Sequence, residues 1–266
     1  MNDFYIGYAQ QVPMQLARFL RRVIIVFAFL AVALALLLVV GQMPFANSVF
    51  EYGKPRKFEG IIETHPYPTL LVKRPAEAPQ AQKYSRYLLV GPGKHGANDL
   101  IAGLDGKQVS LQGQLIYRGG GVMVEVEPHS IKSSDTAPVN QANTLGLGRV
   151  KVSGEIVDSK CYLGVMNPGQ GKVHRDCASR CLSGGIPPLF VTFDGENQFL
   201  LVDSDGHAIG RDTLREFVAE PITIEGETLQ RGDTRMLRID PRSLGHTPAD
   251  IEVTSRLPES HPDEAR

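Results

Sequence analysis

The sequence has no tryptophan, only three cysteines, no Asn-x-Ser/Thr acceptor and no excess of charge of either sign. A net charge of −1 gives no long-range pull on nucleic acid or anionic lipid. The missing glycosylation acceptor fits a bacterial periplasm better than a secretory lumen. Three cysteines are too few for a disulfide framework, yet all three fall between residues 161 and 181. That clustering points to local chemistry. Nucleotide and acyl-transfer motifs are missing too. Gly169-Gln-Gly171-Lys172 lacks the phosphate-loop pattern, because Met166 and Val173 stand where Gly and Ser/Thr are needed. There is no G-x-S-x-G elbow, and no carboxylate pair stands out from a solvated surface. The balance is against an enzyme.

One long apolar run is present. Residues 23–40 read VIIVFAFLAVALALLLVV without a charge. As a helix the run is roughly 27 Å long, close to one bilayer core. Arg18, Arg21 and Arg22 precede it, and the next cations are Lys54, Arg56 and Lys57. The positive-inside rule keeps residues 1–22 in the cytoplasm and the rest in the periplasm. The segment 41–46 is a poor cleavage site, so the run reads as an uncleaved signal anchor. The expected location is the bacterial inner membrane, single-pass, where thiols meet an oxidising compartment.

The remainder repeats itself. Residues 108–131, QVSLQGQLIYRGGGVMVEVEPHSI, align without a gap on 221–244, PITIEGETLQRGDTRMLRIDPRSL. Gly113 meets Gly226, Arg118 meets Arg231, Met123 meets Met236 and Pro128 meets Pro241. Upstream, Tyr87-Leu-Leu-Val90 parallels Phe199-Leu-Leu-Val202, His95 parallels His207, and residues 58–62 parallel 152–156. Apolar alternation around polar turns reads as strands and hairpins. Leu214, Phe217 and Val218 have the spacing of a short amphipathic helix over 211–218, with a weaker signal at 98–104. The order strand, strand, strand, helix, strand, strand is that of an OB barrel.

The fold class is therefore mainly β: an N-terminal transmembrane helix, then two tandem OB-like small β-barrels over 55–135 and 148–246. Residues 133–144 form a polar linker and 247–266 a loose tail. A nucleic-acid role is not expected, because the strands lack a basic groove with stacking aromatics.

The two copies differ in one place. Copy one needs about seven residues between its first two strands, while copy two is about twenty-five residues longer there. The insert, 157–188, holds every cysteine. Its polar set is Cys161, His174, Cys177 and Cys181. A short helix over 174–182, stopped by Gly184, Gly185, Pro187 and Pro188, sets His174, Cys177 and Cys181 on one face. Three thiolates and an imidazole suit zinc, and thiolates also suit copper or an iron–sulfur cluster. Met166, Asp158 and Asp176 are lesser candidates. His95 and His207 read as turn residues, and His129 has no counterpart. Two readings compete with the metal: a disulfide from Cys161 to Cys177 or Cys181 with one spare thiol, and thiol exchange at Cys177 and Cys181.

The window V-D-x-x-C, a Gly-rich turn, H-x-x-C-x-x-x-C and a Gly-Pro stop resembles a pattern in bacterial membrane-anchored envelope proteins without established activity. The resemblance covers about thirty residues and implies a structural unit, not a function. Cys177 and Cys181 with a nearby histidine also look like the copper site of periplasmic chaperones for cytochrome oxidase, whose βαβ core this chain does not share. The expected function is a membrane-anchored periplasmic protein with a Cys/His metal or redox site, serving electron transfer or metalloenzyme assembly. The alternative is a structural module whose cysteines staple a loop. Membrane lipid and a membrane or periplasmic protein are the expected partners.

Overall fold

The computed structural model describes residues 12–42, 48–75, 83–134 and 143–245. The expected tail, most of the linker and half of the N-terminal segment lie outside them. The chain forms two compact units, Met1–Ala46 and Asn47–Arg266. The first contains α1 (Met14–Gln42), one helix long and apolar enough to cross a membrane. Its apolar side chains are exposed on every side, with no polar stripe.

The second unit is two closed five-stranded barrels. In the first, β2 (Arg56–Glu63) pairs antiparallel with β3 (Thr69–Lys73) and β5 (Gln108–Arg118). There β4 (Tyr84–Val90) runs parallel to β6 (Gly121–Val126), and β5–β6 closes the barrel. In the second, β8 (Thr144–Asp158), β9 (Pro188–Thr192), β10 (Gln198–Val202), β11 (Ile222–Arg231) and β12 (Thr234–Arg238) repeat that scheme.

The repeat holds at the level of register. Leu88 pairs with Met123 in one barrel and Leu200 with Met236 in the other. The hairpin turns both carry a glycine at positive φ, Gly119 and Gly232, where a side chain would be strained. His95 and His207 offer their carbonyls to equivalent amides, Gly91 and Asp203, as turn residues. Equivalent inward positions fill the two cores: Ile62 and Ile156, Leu89 and Leu201, Val109 and Ile222, Val124 and Leu237.

Five elements differ from expectation. Residues 211–218 form a single 3-10 turn, Arg215–Phe217, and 98–104 form only turns. Segments this short gain too few hydrogen bonds to offset helix nucleation. Their buried Leu214 and Ile101, at matching places in the repeat, still plug the barrels. A strand β1 (Ser48–Phe50) precedes the expected boundary and pairs with β5. β8 starts four residues before position 148 and pairs with β11 from Thr144 to Gly154. A short strand β7 (Lys132–Ser134) also borders β5.

The barrels are docked by buried groups from both. The Tyr67 hydroxyl donates to the Leu201 carbonyl (2.8 Å) and accepts from the Ile209 amide (3.1 Å). Burial pushes its pKa well above the usual phenol range. Glu63 pairs with Arg86 of its own barrel and with Arg231 of the other. Asp233 accepts from Arg74 and from the Arg86 amide. A continuous apolar cluster runs from Tyr67, Val90, Ile116 and Met123 to Leu189, Leu200 and Met236. The insert contributes to it.

Candidate metal centre

β8 ends at Asp158, and the insert starts with a tight turn over Cys161–Val165. The Asp158 carboxylate caps that turn, its Oδ1 accepting from the Cys161 amide at 2.8 Å. Gly164 and Gly169 allow close chain crossings. A side chain at Gly164 would strike the Val49 carbonyl of β1, and one at Gly169 the Cys161 carbonyl. A 3-10 turn, Lys172–His174, leads into α2 (Arg175–Ser183). The helix stops at Gly184 and Gly185, the latter at φ +93°.

This path brings the three cysteines together. The sulfurs of Cys161, Cys177 and Cys181 all lie within 4.8 Å of one another. Cys161 and Cys181 are buried, and Cys177 is half-buried. All three are free thiols. His174 is placed differently. It is buried beside Asp158, with Nε2 3.0 Å from Oδ2, and forms a second group with Asp158 and Cys161. A carboxylate only accepts, so Nε2 carries the proton in this bond. Asp158 thus links His174 to the Cys161 backbone. Met166 is exposed and Asp176 faces solvent; neither belongs to these groups.

The first barrel supplies a cation. Lys94, in the loop after β4, has Nζ 2.7 Å from Cys177 Sγ and 3.8 Å from Cys181 Sγ. Its loop meets the end of α2 closely: the Gly96 amide donates to the Gly184 carbonyl at 2.9 Å. A Cβ on Gly184 would lie 1.8 Å from the Lys94 carbonyl oxygen. A second lysine holds the loop from below. Lys160, 2 % exposed, donates to the carbonyls of Gly91 (2.8 Å) and Gly93 (2.7 Å) and pairs with Glu125. Next to it, Arg118 of the first barrel lies 4.2 Å from the ring centre of buried Tyr162.

The electrostatics follow from these contacts. The hydrogen bond to the Cys181 sulfur, then burial, then Asp158, push the Cys161 thiol up. The same bond draws Cys181 down, against its burial and with help from Lys94. The shared contact thus favours the proton on Cys161 over Cys181. The Cys177 sulfur raises the Lys94 ammonium above its usual range. Burial raises Glu155, opposed by the Gly171 amide at 2.9 Å and by His174.

Two sulfurs bound to one zinc at about 2.3 Å each are at most about 4.6 Å apart. With its sulfurs within 4.8 Å of one another, slightly wider than that limit, the cluster could hold one ion after a small closure. Sequence reasoning found the cysteines but missed Lys94 and Lys160. The only signal near Lys94 was the repeat-matched His95 beside it, and that residue is a turn element. No known protein family, curated protein or solved structure matches the chain, so the site is read from its own geometry.

Proposed function

We propose that the protein is a membrane-anchored carrier of one thiophilic metal ion, zinc(II) or copper(I), bound by Cys161, Cys177 and Cys181. The observation that carries this reading is the convergence of three thiols from two separate segments within 4.8 Å. Soft thiolates select such ions over magnesium or calcium. Three thiolates with zinc carry one net negative charge, which Lys94 neutralises. A buried site that balances its charge avoids a large desolvation cost.

In this reading His174 is a support, not a ligand. It holds Asp158, and Asp158 holds the Cys161 backbone; such outer partners fix ligand orientation. On a tetrahedral zinc, three protein ligands leave one coordination position for exchange, as suits delivery to or from a partner metalloprotein. The anchor is α1, with Arg18, Arg21 and Arg22 on the cytoplasmic side and the barrels in the periplasm of a bacterial inner membrane. An exchange site held at a fixed membrane fits assembly of a membrane metalloenzyme.

The test is metal titration of the full chain in detergent, reduced and kept from oxygen. Tight binding of one ion, with loss on Cys181→Ser, supports the proposal. Binding unchanged by that substitution contradicts it.

A further inference from the structure

The three thiols are not equivalent toward solvent. Cys161 and Cys181 are buried, and only Cys177 is half-open. Its open side is bordered by cations from two elements. Lys94 lies on its sulfur at 2.7 Å and is itself exposed. Arg180 follows Cys177 by three residues on α2, so their side chains are neighbours on the helix surface. Arg180 is exposed and has no ion pair among the described residues. His95 adds a second exposed side chain to the Lys94 loop. The acid nearest in sequence is Asp176, which lies farther round α2 from the buried face than Arg180 does. Of the other cations of the insert, Arg175 and Lys172 share the single carboxylate of Glu220, and Lys160 pairs with Glu125.

We propose that Cys177 is the exchange point of the cluster, and that Lys94 and Arg180 select an incoming anionic thiolate, free or carried on an acidic protein surface. The metal step rests on the metal-carrier reading. A bond forms between the ion and the incoming sulfur, and the bond to Cys177 breaks. The Cys177 sulfur leaves with its electron pair, and the Lys94 ammonium takes up the released charge through the hydrogen bond already present. No electron changes owner. Cys161 and Cys181, buried below, keep the ion until the second thiolate arrives. Cationic rims speed such encounters and lose their effect in salt.

The selection is testable without metal. Full-length protein in detergent, reduced and metal-free, is reacted with an aromatic disulfide bearing two carboxylates and with the neutral dipyridyl disulfide. In each case a protein thiolate attacks one sulfur and the aromatic thiolate departs. The expected result is that Cys177→Ser removes the fast phase with both reagents. High salt or Arg180→Glu should slow the anionic reagent on the order of tenfold and leave the neutral one nearly unchanged. Lys94→Gln should act in the same direction. A rate ratio indifferent to salt and to Arg180→Glu overturns the proposal, as does a fast phase that survives Cys177→Ser. These outcomes stand whether or not metal binds. In metal-loaded protein, removal of the ion by glutathione at a salt-sensitive rate identifies a free anionic thiol as a competent acceptor. Removal only by a cysteine peptide flanked by acids assigns the acceptor to protein. Equal removal by cationic cysteamine contradicts the selection.

Discussion

The same barrel occurs twice in this chain, and only one copy carries the cysteine cluster. Both close by the same pairing, and both place a methionine of the last strand opposite a leucine of the third, Met123 with Leu88 and Met236 with Leu200. They part at the end of the first strand. In the first barrel Thr64 follows β2, binds Asp105, and the chain returns at once to β3. In the second, the matching Asp158 turns outward to cap Cys161, and the chain travels to Pro188 before pairing resumes. A barrel rim tolerates a long insertion because the strands on either side keep their register. The first copy is more than a spacer, because it contributes Lys94, Glu125 and Arg118 to the surroundings of the insert. One barrel carries the insert, and the other covers part of it.

Breaking the cover from within should have the largest effect. Lys160→Met leaves Glu125 without its partner and two carbonyls without a donor. We expect a loss of about 3–5 kcal/mol in urea unfolding, with partial recovery on adding Glu125→Gln. Full stability in the single variant would mean that the Lys94 loop does not depend on Lys160. Tyr162→Ala removes a ring buried at the junction, and about 3–5 kcal/mol should be lost. The equivalent loop of the first barrel buries its own ring at the junction, Tyr67, so losses of similar size from Tyr162→Ala and Tyr67→Ala would show that both copies depend on their docking. Gly184→Ala sets a methyl against the Lys94 carbonyl. It should cost about 1–3 kcal/mol, and mass-mapped alkylation should find Cys177 more reactive as the loop lifts.

The smallest effect is a pH slope. Burial raises Glu155 above its unfolded value, so the folded form holds its proton more firmly. Its contribution is fully present below the ordinary glutamate pKa and is lost as pH rises through the folded value. Glu155→Gln should flatten that segment of the stability–pH curve and slightly stabilise the protein at neutral pH. A steeper slope would mean that the Gly171 hydrogen bond outweighs burial. The first barrel has Ile61 at the matching position and offers no such slope.

Much of this was legible in the sequence, for physical reasons that differ by element. The strands were readable because inward residues alternate, as in β11 with Ile222 and Ile224. The repeat was readable because Gly113 and Gly226, or Met123 and Met236, meet identical packing needs. The insert appeared as what remained after subtracting one copy from the other. The 3-10 turn at 215–217 misled because Leu214 and Val218 are buried as a helix would bury them, in a segment too short to be one. Lys94 and Lys160 were invisible because their roles arise when one barrel docks on the other, and no local pattern records a contact between residues 94 and 177. His174 was grouped with the cysteines by spacing alone; the structure gives it to Asp158 first.

The central claim is that three converging thiols hold one ion. The most direct measurement is elemental analysis with thiol counting on the full chain, purified in detergent without reductant or chelator. The account predicts about one zinc or copper per chain, no disulfide, and loss of the metal in Cys177→Ser. No metal, with one disulfide and a single free thiol, would contradict it and leave a stapled loop in its place.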